Sequence, residues 1–471
     1  MASSRKPKVA DSSADLVNKV AQRVAACAAF VVSGEAPTVA IALSGGRDSA
    51  ALLHACAAWR DAGTPVRLVA VHVHHGLHAD ADAWEGACAR MAEAAGVAFH
   101  ARRVHVVADA GKGIEAAARD ARYAALRAMC ARTGASILLT AHHLDDQAET
   151  VLLQLLRGAG VDGLAAMPMV REGELTLLRP WIDVPRSEIE SYASAHGLVW
   201  VDDPSNDDSR YARNALRPLL RGMADHFPAY REALARSAAH LADAAALIDE
   251  MAQEDLARAT SAQGLNVEKL AALPRARQRA VLRAWLSQAG MRAVPARRLE
   301  DLCAQLLHAS EHGRLCIDLP GHRVRRYRGV AVIEPEEAVA ARPVAAEPIR
   351  FDPAHRVEQR VSVQGWGGEL VFSPAVAGIE PRTLQAPLSL APRRGGERIV
   401  LRPGGPSRAL KQAYQEAGIP PWARARLPLL YAGESLVFAA GLGIDRAATG
   451  PGPGWDVSWY PAAEGGRYST R

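Results

Sequence analysis

Between Thr38 and Arg157, short and almost uninterrupted apolar runs alternate with longer Ala-rich stretches of helical period, and few folds accept that alternation. The runs TVAIAL (38–43), VRLVAVHV (66–73) and SILLTA (136–141) have strand length and no polar face. A strand that is apolar on both sides has to be buried on both sides, so these runs belong to a parallel sheet with helices packed above and below it. The expected fold is α/β, a doubly wound parallel-sheet domain, in which ligands bind beyond the carboxyl ends of the strands. Functional residues should therefore cluster just after Leu43, Val73 and Ala141.

At 471 residues the chain exceeds what one core organises, about 250 residues, so several domains are expected. Residues 1–33 read as a tail and helix, and 34–228 as the α/β domain. Apolar positions at three-and-four spacing, such as Val281, Leu282, Trp285 and Leu286, mark 229–335 as a helical α+β middle domain. It closes on an alternating stretch (314–333) about a Pro-Gly turn, read as a β-hairpin. Pro- and Ala-rich sequence follows, and 336–381 is taken as linker or insertion. Residues 382–471 form a small α+β C-terminal domain with one helix expected from Ser407 to Ala417.

Hydrophobic residues at 49% and charged residues at 23% are the profile of a packed globular chain rather than a disordered one. Six cysteines (Cys27, Cys56, Cys88, Cys130, Cys303 and Cys316) stand singly, mostly inside apolar runs, which fits a reduced setting better than disulfides or zinc. No signal-peptide stretch follows MASSRKPK, and the apolar run from Val24 to Val32 is too short to span a bilayer, so a cytoplasmic protein with no membrane partner is expected. Oligomeric state stays open between monomer and homodimer. The net charge of +5 is only mildly basic, but between Arg382 and Arg426 nine Lys or Arg face two acids, Glu397 and Glu416, an excess that a phosphate backbone could use.

Directly after the first strand comes S-G-G-R-D-S, and a helix opens behind it. Gly45 and Gly46 permit a tight turn and bring bare N–H groups against a ligand, while the helix N-terminus adds partial positive charge; the loop is built for phosphate. Ser44 and Ser49 can add hydroxyl donors, and Arg47 lies within the same turn. Unlike the Walker loop it carries no lysine and sets an acid, Asp48, at the helix start. An acid beside phosphate implies a metal, read as Mg²⁺ between Asp48 and the phosphate oxygens of ATP. A second constellation, A-H-H-L-D-D-Q-A-E-T (141–150), follows the strand SILLT; His142, Asp146 and Glu149 at i, i+4 and i+7 would share one helical face, suited to metal binding at Asp146 and to orienting or deprotonating an amine nucleophile. Four histidines at 72–78 tempt a zinc reading, but their spacing lacks a closed ligand set.

The first loop resembles the PP-loop of the ATP pyrophosphatase superfamily, whose members adenylate a carbonyl or amide oxygen and let a nucleophile displace AMP. H-x-x-D-D-Q-x-E-T is similar to the motif shared by tRNA(Ile)-lysidine synthetases and 2-thiocytidine tRNA thiolases. The thiolases also require C-x-x-C pairs, which this sequence lacks, so the resemblance points to the lysidine branch. HVHHGLHADADAW (72–84), with His74, resembles the segment that contacts adenosine, and His142 joins it in lining the nucleotide. GIEAAARDARY (113–123) resembles a helix whose arginines, here Arg119 and Arg122, clamp phosphate or stabilise an oxyanion. DDPSNDDSRYARNALR (202–217) matches a run in which Arg213 contacts RNA or the activated base, with Arg217 beside it. PRRGGERI (392–399) and the stretch 409–434 resemble a terminal domain that grips the tRNA acceptor region, making Arg394, Lys411, Arg424 and Arg426 phosphate contacts. The resemblance implies a ligase that joins free lysine to C2 of the wobble cytidine of an isoleucine tRNA with a CAU anticodon, through an adenylated cytidine, releasing AMP and pyrophosphate. A PP-loop thiolase or another adenylating amidotransferase is the alternative.

Overall fold

A computed structural model describes residues 9–27, 36–76, 80–104, 114–202, 212–261, 263–291, 294–309, 315–336 and 345–461. The chain divides into two compact units, Met1–Leu247 and Ile248–Arg471. No helix among the described residues is long and apolar enough to cross a membrane.

The first unit runs α1 (Val9–Ala25), β1 (Thr38–Ala42), α2 (Arg47–Asp61), β2 (Arg67–His74), α3 (Ala81–Ala94), β3 (Ala98–Arg103), α4 (Ile114–Thr133), β4 (Ile137–Leu139), α5 (Leu144–Leu156), α6 (Val161–Leu164), β5 (Val170–Arg171), β6 (Thr176–Leu178), α7 (Arg186–Ala195) and α8 (Ala212–Ala224). A long helix, α9 (Tyr230–Ala259), follows and carries the chain across the boundary between the units. The sheet order is β3-β2-β1-β4-β6-β5. All neighbours are parallel except β5, which pairs antiparallel with β6. Alternation decides which side chain meets which helix layer. Val39, Ile41 and Leu43 point into a core with Leu16, Val20 and Val24 of α1 and with α2, α3 and α7, while Ala40 and Ala42 point to the opposite core with Leu126, Met129 and Cys130 of α4. Each such fully buried aliphatic side chain contributes about 1.5–3 kcal/mol over its exposed state. The doubly wound expectation is met, with β3 and β6 added to the three runs the sequence displays. The winding reverses between β1 and β4, so the loops after these strands open the switch-point crevice.

In the second unit, β7 (Thr260–Ser261) and β8 (Gly264–Asn266) lead into α10 (Val267–Ala271), α11 (Arg275–Gln288) and α12 (Ala296–His308), and β9 (Leu315–Leu319), β10 (His322–Tyr327) and β11 (Val330–Pro335) complete a five-stranded sheet. The hairpin expected at 314–333 is thus two of three strands of a meander, with a second turn at Arg328 and Gly329. Arg328 takes the left-handed region at φ 50°, which an aliphatic alternation pattern does not signal.

The remaining elements are β12 (Glu347–Ile349), β13 (Gln359–Val363), β14 (Gly368–Ala375), β15 (Leu388–Ala391), β16 (Arg398–Ile399), β17 (Arg408–Ala409), α13 (Leu410–Glu416), α14 (Pro421–Arg424), β18 (Leu429–Ala432), β19 (Ser435–Ala439), β20 (Gly443–Ile444) and β21 (Gly454–Pro461). The stretch 336–381 is therefore more than linker: β12 pairs with β15, and β14 pairs with β21 over its full length and with β13 over Gly368–Phe372. Phe372 and Val363 from this stretch are fully buried in one core with Leu390, Tyr414 and Trp455. The helix expected from Ser407 begins only at Leu410, because Arg408 and Ala409 pair with β16.

Candidate active site

The turn after β1 is shaped by its own hydroxyls. The Ser44 N–H donates to Ser49 Oγ at 3.2 Å, and the Ser49 hydroxyl donates to the Gly46 carbonyl at 2.8 Å. Ser49 is buried, so it braces the loop, while Ser44 is exposed toward any ligand. Gly45 adopts φ +93°, and a Cβ there would stand 3.2 Å from Cys88 Sγ; the position calls for glycine on both counts. Gly46 is the N-cap of α2 and has no side chain to cap with, so the first-turn N–H groups are left to an external acceptor. Arg47 ion-pairs with Glu190 of α7 at 2.8 Å and sets its Nε 3.5 Å from Asp48 Oδ1.

Asp48 has one oxygen, Oδ1, that is buried and without a hydrogen bond among the described residues. Burial favours its neutral form, but His143, Arg47 and Arg186 together outweigh burial and hold the carboxyl below the usual range. An ionised, unsatisfied carboxylate oxygen beside an uncapped helix start suits a hard cation that takes most of its ligands from phosphate and water. Asp146, expected from the sequence to share that cation, has both oxygens engaged: Oδ1 accepts from Arg213 at 3.0 Å and Oδ2 from the His143 backbone N–H at 3.1 Å. The Asp48 oxygen without a hydrogen bond thus fits magnesium, whereas both Asp146 oxygens already accept hydrogen bonds.

His143 links the two acids. It is the N-cap of α5, its Nδ1 accepts the Asp146 N–H at 3.4 Å, and Asp146 answers as the other half of a capping box. Its Nε2 lies 3.6 Å from Asp48 Oδ2 and 3.5 Å from Asp146 Oδ2. Burial opposes charge on this ring, yet Asp146, Asp48 and Asp145 raise its pKa overall. The sequence reading passes over His143 for His142. The available signal is the spacing of a capping box, three residues ahead of Asp146. His142 lies before the helix rather than on its face; it bonds Thr140 Oγ1 at 2.8 Å, and burial pushes its pKa down to about 3, leaving a neutral ring at physiological pH.

The acids of α5 are held by arginines from later helices. Glu149, buried, receives Arg213 at 2.6 Å and Arg217 at 2.9 Å, while Asp145 receives Arg231. Arg213 and Arg217 are therefore braced by carboxylates rather than presented bare to RNA. On the β2 side, His72 bonds the Leu43 carbonyl at 2.8 Å and His74 bonds Asp82 at 3.1 Å. From α4, Arg119 is exposed and Arg122 half-buried. Burial lowers the pKa of Arg122; burial also lowers those of His72, His75 and His142, with the Arg122 charge as a smaller contribution. His78, the start of GIEAAARDARY and the run PSNDDSRY lie outside the described residues.

In the second unit, Arg394 and Lys411 are exposed. Arg426 is exposed too and reaches Glu334 at 3.4 Å. Arg424 is a correction to the sequence reading: it is buried, its Nε donates to the Ile419 carbonyl at 2.8 Å, and Nη2 reaches Tyr327 Oη at 3.3 Å. Burial lowers its pKa, and the group ties α14 to β10 where a phosphate cannot approach it.

A glycine loop without lysine, an acid at the helix start and a second acidic helix across the switch point define the PP-loop class of ATP-using enzymes, and residues 17–222 match the PP-loop domain. Residues 265–331 match the TilS substrate binding domain and 388–459 the TilS substrate C-terminal domain. The chain is 73% identical to a tRNA(Ile)-lysidine synthase of Ralstonia nicotianae over 95% of its own length and 98% of that protein's. It is 44% identical to one of Burkholderia pseudomallei over 90% of this chain and 93% of the relative, and 40% identical to one of Chromobacterium violaceum over 90% and 95%. The chain belongs to the tRNA(Ile)-lysidine synthase family, a family of ligases.

Proposed function

We propose that this chain joins lysine to C2 of the wobble cytidine of isoleucine tRNA carrying a CAU anticodon, in the cytoplasm, at the expense of ATP. In the first step the cytidine O2 attacks the α-phosphorus, the bond to the β-phosphate bridging oxygen breaks, and pyrophosphate leaves. In the second step an amine of lysine attacks C2, the C2–O bond breaks, AMP leaves with the oxygen, and the amine sheds a proton.

The observation that carries this reading is the uncapped loop Ser44–Gly46 with an unsatisfied Asp48 oxygen at its helix. Backbone N–H groups there bind the departing diphosphate and stabilise the charge that builds on it. Magnesium held by Asp48 would neutralise part of that charge. Arg122 stands where negative charge develops around the α-phosphate, and Arg119 beside it. His142 and His74 line the nucleotide as neutral or carboxylate-held rings. Asp146 and Glu149 act chiefly by holding Arg213 in place: a carboxylate kept ionised by Arg213 and His143 orients an ammonium better than it deprotonates one. Arg394, Lys411 and Arg426 supply sequence-independent contacts to the tRNA backbone.

The test is incubation with ATP, radiolabelled lysine and total tRNA. Label entering tRNA supports the reading; pyrophosphate release without label would point to a thiolase or another adenylating enzyme of the same superfamily.

A further inference from the structure

Four arginines stand near the carboxyl edge of the first unit's sheet without a carboxylate partner among the described residues: Arg119 and Arg122 of α4, Arg171 of β5 and Arg179 just after β6. Their neighbours Arg213 and Arg217 are ion-paired, so the omission is local. What holds the first group is Tyr123. The guanidinium carbons of Arg119 and Arg171 lie 5.2 and 5.5 Å from its ring centroid. A ring face fixes a guanidinium without consuming its N–H donors or cancelling its charge, unlike a carboxylate. Arg179 is 3% exposed, donates Nη1 to the Pro168 carbonyl at 2.6 Å, and keeps a buried Nε with no partner. Burial, with Arg171 and Arg119 close by, lowers its pKa against the contrary pull of the Tyr123 phenol. Such a basin is self-repelling until an anion enters it.

Resting on the tRNA reading above, we infer that exposed Arg171, fixed on the Tyr123 ring with the charge of buried Arg179 behind it, is the seat for an RNA phosphate that flanks the target nucleotide. The sheet order separates this seat from ATP. Arg171 on β5 is three strands from β1, roughly 14 Å, and so on the far side of the crevice from the loop that holds the diphosphate. A base entering the crevice from a single-stranded loop brings a phosphate on each side of it, and guanidinium forks match phosphate geometry. Arg171, exposed on a two-residue edge strand, meets the backbone first; buried Arg179 lies deeper.

The experiment measures binding of an anticodon stem-loop RNA to the full chain across a salt series, with ATP affinity measured separately without RNA. Arg171→Glu is expected to weaken stem-loop binding tenfold or more and to flatten the plot of log affinity against log salt by about 0.7 for each phosphate left unneutralised, with ATP affinity unchanged. Arg171→Lys should recover most of the affinity, and because Arg171 is exposed, an unchanged melting temperature confirms folding. Unchanged RNA affinity and slope in Arg171→Glu would overturn the seat while leaving the tRNA reading intact. A parallel loss of ATP affinity would also overturn it, assigning Arg171 to the nucleotide. Absence of stem-loop binding by the wild-type chain would sink the tRNA reading itself.

Discussion

At the scale of single residues, the account turns on Asp48 and Gly45. Asp48 keeps a buried oxygen without a hydrogen bond, which suits it to charge balance at a phosphate. Asp48→Asn is therefore expected to lower turnover by about 10²-fold or more, and, because His143, Arg47 and Arg186 favour the anion in the folded chain, to lower the melting temperature modestly, as steady-state kinetics and thermal unfolding would show. Turnover within a few-fold of wild type would remove Asp48 from the mechanism. Gly45→Ala meets a left-handed backbone and a Cys88 sulfur at 3.2 Å, so it should destabilise by about 1–2 kcal/mol and distort the loop, weakening ATP binding in a direct titration. The glycine turn and Asp48 are legible in the sequence because they are contiguous. His143 is not, since its role depends on Asp48 reaching it from another strand's loop. Nor is the bracing of Glu149, whose arginine partners Arg213 and Arg217 lie 64 and 68 residues further along. Arg424 looks like any basic residue in a basic stretch; only the packing of α14 against β10 reveals that it is buried.

Among elements, α2 must be held firmly for its first turn to stay in register with the loop, and α7 supplies one clamp. His54 Nδ1 lies 2.8 Å from Tyr192 Oη, and the His196 ring packs at a tilt against both, its centroid 4.6 Å from that of His54 and 4.4 Å from that of Tyr192. Burial, and secondarily the charge of His196, lowers the pKa of His54 from 6.5. A histidine depressed in the folded state binds its proton more readily unfolded, so its contribution is complete above pH 6.5 and drains away as pH falls below that value. The wild type should lose melting temperature between pH 8 and pH 5 faster than His54→Gln does; parallel curves would mean that His54 does not report on this packing. Element types in the α/β unit are readable because strands buried on both faces leave continuous apolar runs. The strands at 347–375 are not, because Gln359–Val363 alternates with polar residues and Pro-rich sequence hides the strand before it.

Over the whole molecule, labour is divided. On the proposed function, chemistry gathers at the switch point of the first unit, and the exposed cations of the second serve a polyanionic substrate. The double variant Arg394→Ala with Lys411→Ala should weaken tRNA binding and flatten its salt dependence by about 0.9 for each phosphate no longer neutralised, with ATP affinity unaltered. Unchanged tRNA affinity in a filter-binding series would remove the C-terminal domain's grip. Composition hints at this division only through the local excess of base between Arg382 and Arg426, since the net charge of +5 says little by itself. The most direct test of the central claim is nucleotide analysis of a reaction holding the purified chain, ATP, lysine and the isoleucine tRNA. The account predicts AMP and pyrophosphate in step with lysine entering the tRNA; ADP and orthophosphate would contradict it.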